Sequence, residues 1–500
     1  MSISFNTIPA GLRVPLFYAE MDNSAANSGN TALRTLLIAQ VNDDADHADI
    51  GKLVLVSNSD LAGEIGGRGS VLHSMHQAYR KTDNFGTVWC LPVKLAAGAV
   101  ATGGITLTGA ATVSGVLNLY IAGRRVQVPV VNGDTAAAVA TAAISAINAN
   151  TSLPVNAAAG EAGAITVTAK FKGLLGNDIT LMVNRLGTAG GESTPLGLQV
   201  ALTAMKDGAG APDLAEALAA VGDEPFEFVG QPFTDTASLD ALRDWMSDTS
   251  GRWAWNKQIY GHCYSAKRGE LGELVAFGTA RNDQHATVHG FETRVPQPCW
   301  AVAAAFTARQ SVFVSADPAR PTQTGVLIGI DAAPAGQRFM LDERQTLLSS
   351  GVATCYVEGG DYRIERAITT YQKNAFGAED DSYLDSETLH TSAYVLRYLK
   401  AIITSKYPRH KLASDGTNFG PGQAIVTPVV IRGELIGAYR ELEMRGIVEN
   451  TELFKQHLIV ERNSANPNRL DVLFPPDYVN QLRVFAVLNQ FRLQYPATAE

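Results

Sequence analysis

Several short patterns in this 500-residue sequence hold residue types that do chemistry in other proteins. GEIGGRGS, from Gly63 to Ser70, stands between a strand-like and a helix-like run, a place where backbone N–H groups can cradle phosphate. It has neither the G-x-G-x-x-G spacing nor the lysine of a P-loop, so it reads as a tight strand-to-helix turn. In the acidic run NDDADHADIG, the register Asn42, Asp44, Asp46 puts His47 where a calcium loop needs glycine. That run is a solvated loop. His73 and His76 lie three apart on a predicted helix, but no H-E-x-x-H glutamate and no third ligand accompany them, so they read as core or surface histidines. For nucleophilic catalysis the chain offers no G-x-S-x-G elbow and none of the D-T-G, H-G-T or G-T-S-x-A signatures of subtilisin-like proteases. His289-Gly290 is followed by Phe291, and GTAR at Gly278 has alanine where a nucleophile would stand. Cys90, Cys263, Cys299 and Cys355 are far apart, each in an apolar run and with no C-x-x-C pair, which predicts buried free thiols in a reducing compartment. No catalytic residue, cofactor-binding residue or metal ligand is predicted, and no cofactor.

The elements that would position any site must come from more than one core, since a chain of this length predicts roughly three folded units. Hydrophobic residues make up 46% and charged residues 18%, an ordinary globular balance that excludes global disorder. The net charge of −9 disfavours nucleic-acid binding through a general surface field. No basic n-region precedes an apolar run at the N-terminus, and no run has the length a bilayer needs, so a cytoplasmic chain without membrane insertion is expected.

Residues 1–30 read as an arm, with Pro9 and Pro15 bracketing a short extended run. TALRTLLIAQ and KLVLVSN then read as buried strands, VLHSMHQAYRK as an amphipathic helix capped by Ser70, and TVWCLPV as a further strand. Residues 94–206 carry only seven basic and four acidic residues, which marks a candidate inserted β-rich module with one helix, capped by Asp134 or Thr135 and set off from the main body. From Glu224 to about Tyr371, FEFVGQ, IYGHCYS, ATVHGF, TGVLIGI and VATCYVEGGDYRIERAITTY alternate with helical periodicity, the pattern of a mostly parallel α/β sheet. A helix from about Thr388 to Lys406, stopped by Pro408, has a basic polar side: Arg397, Lys400 and Lys406, then Arg409 and Lys411. After Pro475-Pro476, VNQLRVFAVLNQFRLQY reads as a long final strand.

An extended arm at one end and an apolar strand at the other are aggregation hazards unless something pairs with them. Strand exchange between neighbouring copies solves this, and a heterologous exchange that does not close builds a ring stack or a helical filament. The alternative is that both ends fold back on their own chain.

Four segments carry a family resemblance: SFNTIPAGLRVPLFYAE, GRGSVLHSMHQAYRKTDNFGTVWCLPV, KYPRHKLASDGTNFGPGQAIVTP and ERNSANPNRLDVLFPPDYVNQLRVFAVLNQF. With them the chain resembles the contractile tail sheath proteins of Mu-like bacteriophages over nearly its whole length. The resemblance implies an α/β fold: a central domain of subtilisin-like topology without protease activity, a β-rich inserted domain on the outer surface, an α+β C-terminal domain facing the tube, and extended terminal arms. The corresponding divisions are 1–30, 31–93 with 207–378, 94–206, 379–480 and 481–500. It further implies a structural subunit of the virion tail, assembled in the host bacterial cytoplasm as stacked hexameric rings around the tail tube, and contracting to drive the tube through the host envelope. Its partners would be further copies of itself, the tail tube protein, and baseplate and tail terminator proteins, with no nucleic acid. The arm residues expected to join subunits are Val14, Leu16, Tyr18, Leu482, Val484, Phe485 and Val487, and those expected to face the tube are Arg397, Lys400 and Lys406. A serine-type hydrolase on the α/β region, or another tail component, is the competing expectation.

Overall fold

The computed structural model describes residues 33–161 and 163–494. Val14, Leu16 and Tyr18 therefore lie outside the described residues.

Six strands form the central sheet among the described residues. Thr35–Gln40 lies in its middle with all six residues buried, parallel to Val88–Val93 on one side and to Phe228–Gly230 on the other. His262–Arg268 and Ala286–Phe291 extend the sheet in parallel, and Val54–Leu55 closes the far edge antiparallel. Parallel strands covered on both faces read as unbroken apolar runs, which is why these segments stand out in sequence. The helix Val71–Arg80 starts where expected, with Ser70 Oγ accepting from His73 N at 3.1 Å. Cys299–Ala316 is buried almost all round and packs against it, Trp300 Nε1 donating to Ser74 Oγ at 3.0 Å.

Several expected elements differ. KLVLVSN yields only the two-residue edge strand, and TGVLIGI forms no strand: Val326 makes one isolated bridge, to Arg363. VATCYVEGGDYRIERAITTY is an antiparallel hairpin, Thr354–Glu358 with Asp361–Arg366, and not part of the parallel sheet. Its turn is Gly359-Gly360, both at positive φ as a two-residue hairpin turn requires. The hairpin's base covers the sheet edge, Ala353 N donating to Val288 O and Gly290 N to Ala353 O, both at 3.0 Å. GEIGGRGS is not a single turn either, because Gly63 to Gly66 end the helix Ser59–Gly66 and the turn to the next helix begins at Gly67.

Between Val93 and Lys206 the chain forms a four-stranded antiparallel sheet, a three-stranded sheet and the helix Ala136–Ala149, capped by Thr135. This region is docked on the body rather than set off from it. Its apolar residues join one continuous cluster with the central sheet, Phe171 meets Trp300 edge-on at 5.8 Å, and Arg268 Nε donates to Asp178 Oδ1 at 2.6 Å. Burial against the body explains its low charge as well as separateness would.

The C-terminal region holds the helices Ser386–Lys406, Pro428–Met444 and Thr451–His457 and the hairpin Ile459–Arg462 with Leu470–Leu473. It has its own core, in which Tyr439 stacks on Phe454 at 3.7 Å. No helix among the described residues is long and apolar enough to cross a membrane.

Candidate subunit-contact surfaces

Two features of the C-terminal region lack further strand partners among the described residues. The first is the segment after Tyr478. Tyr478 bridges to Val448, and Val479 N donates to Ile447 O at 3.2 Å, so the chain is fastened up to that point. Beyond Arg483 it runs without a strand partner among the described residues. Val484 is 79% exposed, Phe485 82%, Leu488 93%, and Leu482, Val487 and Phe491 are exposed as well. Successive side chains of an extended chain point to opposite faces. Val484 and Leu488 fall on one face and Phe485, Val487 and Phe491 on the other, so both faces are apolar. That is the signature of a strand meant to lie inside a sheet, covered above and below. The expected long strand does not form among the described residues, because a strand exists only through its ladder and none of them supplies one to it.

The second feature is the hairpin Ile459–Arg462 with Leu470–Leu473, paired from Ile459↔Leu473 to Arg462↔Leu470. Two strands alone are marginal in water and gain stability from a third. Ile459, Val472 and Leu473 are exposed on this hairpin, and no further strand joins it among the described residues.

The long helix Ser386–Lys406 follows from its sequence: Asp385 at its N-cap position, Glu387 in the first turn and Lys406 in the last, each favoured by the helix dipole. Its expected basic side is not free. Arg397 reaches across to the central sheet, pairs with Glu227 and lies over the Tyr260 ring at 5.5 Å. Glu227 is buried, and His390 Nδ1 sits 2.6 Å from its Oε1, with His390 Nε2 2.7 Å from the Tyr264 hydroxyl. Burial works against the Glu227 carboxylate, but Arg397 and His390 together hold its pKa below the usual value. Lys406 pairs with Glu434, while Lys400 is exposed. The sequence pattern shows the cations of one helix; the acids that neutralise two of them come from residues 170 and 28 positions away.

The other chemical candidates are internal. All four cysteines are buried and free, and burial pushes the Cys90 thiol up to about 12. His73 and His76 are core histidines, each lowered to about 4 by burial. Among the described residues no group of three or more His, Cys, Asp or Glu is arranged to hold a metal ion. A Ser–His hydrogen bond does occur, Ser59 Oγ to His76 Nδ1 at 2.9 Å. The other ring nitrogen faces the Val56 carbonyl at 3.2 Å where a triad would need a carboxylate.

Comparison with known proteins gives the family. A model described as the phage tail sheath protein central domain matches residues 207–370, and one described as the phage tail sheath C-terminal domain matches residues 378–492. The Mu-like prophage FluMu tail sheath protein of Haemophilus influenzae (strain ATCC 51907 / DSM 11121 / KW20 / Rd) is 44% identical over 498 residues, covering 99% of this chain and 100% of that protein. The chain belongs to the phage tail sheath family.

Among solved structures, the chain is similar to the sheath tail protein from Desulfitobacterium hafniense, at 13% identity and a TM-score of 0.47 over 94% of this chain and 97% of that one. It is also similar to the anti-feeding prophage helical sheath in its contracted state, at 9% identity and a TM-score of 0.49 over 97% and 100%. At that distance the likenesses do not bear on contacts or mechanism. In this sheath protein the C-terminal family match runs through the exposed segment to residue 492, so that segment belongs to the shared domain and is not an appended tail.

Sequence reasoning missed this hairpin, whose strand Ile459–Arg462 reads IVER, half charged. It also missed Glu227 and the acids at the start of the long helix, whose isolated carboxylates leave no local pattern.

Proposed function

We propose that this sheath protein polymerises as stacked hexameric rings around a tail tube and contracts to drive the tube through the host envelope, with baseplate and tail terminator proteins at the two ends. The observation that carries the reading is the segment after Arg483, apolar on both faces and without a strand partner among the described residues, together with a hairpin to which no third strand is added among them. Leu482, Val484, Phe485 and Val487 of one copy pair with the hairpin of another, and the N-terminal run through Val14, Leu16 and Tyr18 takes an equivalent place on a different neighbour. Because donor and acceptor are different surfaces, the contact is heterologous and propagates. Residues 94–206 form the outer domain, 31–93 with 207–378 the central domain, of subtilisin-like topology in that its core is a mostly parallel sheet, and 379–480 the tube-facing domain. Lys400 is the exposed cation of the long helix for an acidic tube surface; Arg397 and Lys406 would contribute there only by leaving Glu227 and Glu434. The protein works in the virion tail after assembly in the host cytoplasm.

The role is structural and not enzymatic. The Ser59–His76 pair lacks an orienting carboxylate, and a histidine held at about 4 is a weak general base at neutral pH. A fluorophosphonate probe separates the readings, since a hydrolase would be labelled and a sheath subunit would not.

Electron microscopy of the purified protein, alone and with its tube protein, tests the assembly: hollow helical cylinders are expected. Monomers that persist at high concentration under both conditions would overturn it. Removing residues 484–500, which keeps Arg483 on Glu387, should leave a folded subunit that no longer polymerises.

A further inference from the structure

Arg483 is anchored to the body, and a run of exposed apolar side chains begins directly after it. Its side chain is 12% exposed, whereas Val484 and Phe485 immediately beyond it are among the most exposed apolar residues of the described chain. The preceding segment is stitched to the C-terminal layer, with Glu449 N donating to Asp477 O at 2.8 Å and Asn450 Nδ2 to Asp477 Oδ2 at 2.7 Å. It then crosses to the central body, where Gln481 Nε2 donates to Ala319 O at 2.9 Å.

Arg483 enters a carboxylate cluster at the start of the long helix. Its Nη2 lies 3.1 Å from Asp385 Oδ1 and 3.2 Å from Glu387 Oε1, and its Nη1 donates to Gln323 Oε1 at 3.3 Å. Gln323 Nε2 in turn donates to the Leu482 carbonyl at 3.3 Å. Glu387 is fully buried and also accepts from Thr322 N at 2.9 Å and Thr322 Oγ1 at 2.8 Å. Asp385 is clamped from the other side by Arg366, through two bonds of 2.8 Å each. Two guanidinium groups thus balance two carboxylates, and the carboxylates sit at a helix N-terminus, where the dipole favours them. A desolvated arginine bonded to two carboxylates in this way is held in place, because displacing it would leave a buried charge without its partner.

We infer that Arg483 is a pivot pin for the C-terminal arm. Residues up to 483 move as part of the body, and swinging begins at Val484, eight residues past the Pro475-Pro476 break. Force on the arm then passes through one guanidinium to the start of the long helix and to the 319–323 segment of the central body. A second copy of this chain holding the arm would in this way be coupled to both halves of the subunit. This coupling rests on the reading of the arm as an inter-subunit strand; the pin itself does not.

The four native cysteines are buried, so a single introduced cysteine takes a nitroxide label selectively. In dilute full-length protein, a label at Leu482→Cys, an exposed side chain on backbone held by Gln323, should have restricted motion, and one at Val487→Cys should be severalfold more mobile by electron paramagnetic resonance. In the charge-neutral double variant Arg483→Met with Glu387→Gln, which leaves no unpaired buried charge, the label at 482 should become as mobile as that at 487 while the melting transition stays cooperative. Equal mobility of the two labels in the parent chain, or a step across residue 483 that survives in the double variant, would overturn the pin. In assembled material the double variant should give cylinders of reduced yield and regularity; unchanged cylinders would overturn the coupling. Failure of the unmodified chain to form cylinders would instead sink the inter-subunit reading, with the mobility step still deciding the pin.

Discussion

Thr35–Gln40 and the segment 482–488 are written in the same alphabet, TLLIAQ against LRVFAVL, and meet opposite fates. The first is buried at every position between two parallel partners, while the second lies in solvent with its apolar side chains uncovered. Strand-forming composition is therefore a demand for neighbours, and whether they come from the same chain or from another copy is decided by where the segment sits in the fold.

The comparison is broken most forcefully in the body. Leu36→Ala should lower monomer stability by about 2–5 kcal/mol, since it opens a cavity where no side chain is free to relax. Chemical denaturation followed by circular dichroism measures this; a loss no larger than that from an arm variant would mean that Thr35–Gln40 is not the keystone it looks.

Arg397→Met should cost roughly 3 kcal/mol, the low end for breaking a buried pair, because Glu227 is left desolvated while the guanidinium is itself partly exposed. Lys400→Met should leave the melting temperature unchanged and weaken tube binding instead, in a salt-dependent way. The two variants separate a cation that holds the subunit together from one that serves a partner.

Acidification acts on the body and leaves the arm alone. Burial lowers His73, His76 and His289 to about 4, and His262 well below its usual value. The unfolded chain takes up protons on these rings from about pH 6.5 downward, whereas the folded chain refuses them until about 4. Stability should fall as pH falls through that window, and a flat monomer melting temperature between pH 7 and 4.5 would contradict the burial of these rings.

The smallest effect on the monomer comes from the arm. Phe485→Ala should change its stability by less than about 0.5 kcal/mol, as for other exposed sites, yet reduce cylinder yield severalfold. Thiol chemistry sharpens the same contrast: a maleimide should leave Cys90, Cys263, Cys299 and Cys355 unmodified in the native protein and modify Val487→Cys at once.

Much of the body was legible because local signals and burial agree there. Ser70 followed by apolar residues at helical spacing became the helix Val71–Arg80, and Thr135, one of the two expected caps, starts the helix Ala136–Ala149. TGVLIGI misled because an apolar run is buried equally well as irregular chain packed under a hairpin, and periodicity cannot tell the two apart over seven residues. The docked position of residues 94–206 was equally hidden, since a low charge count records burial without saying against what.

Composition and pattern alone determined that this chain has several cores, thiols without disulfide pairing patterns, a mostly parallel sheet in its middle and apolar strand material at its C-terminus. Those properties follow from each segment's own side chains and their spacing. Only the tertiary structure decided that Arg397 answers to Glu227, that Arg483 answers to Asp385 and Glu387, and that the final segment leaves the fold uncovered. Ion pairs and strand pairing join residues far apart in the chain, and nothing in a local run of residues specifies the distant partner that the folded backbone brings within about 3 Å.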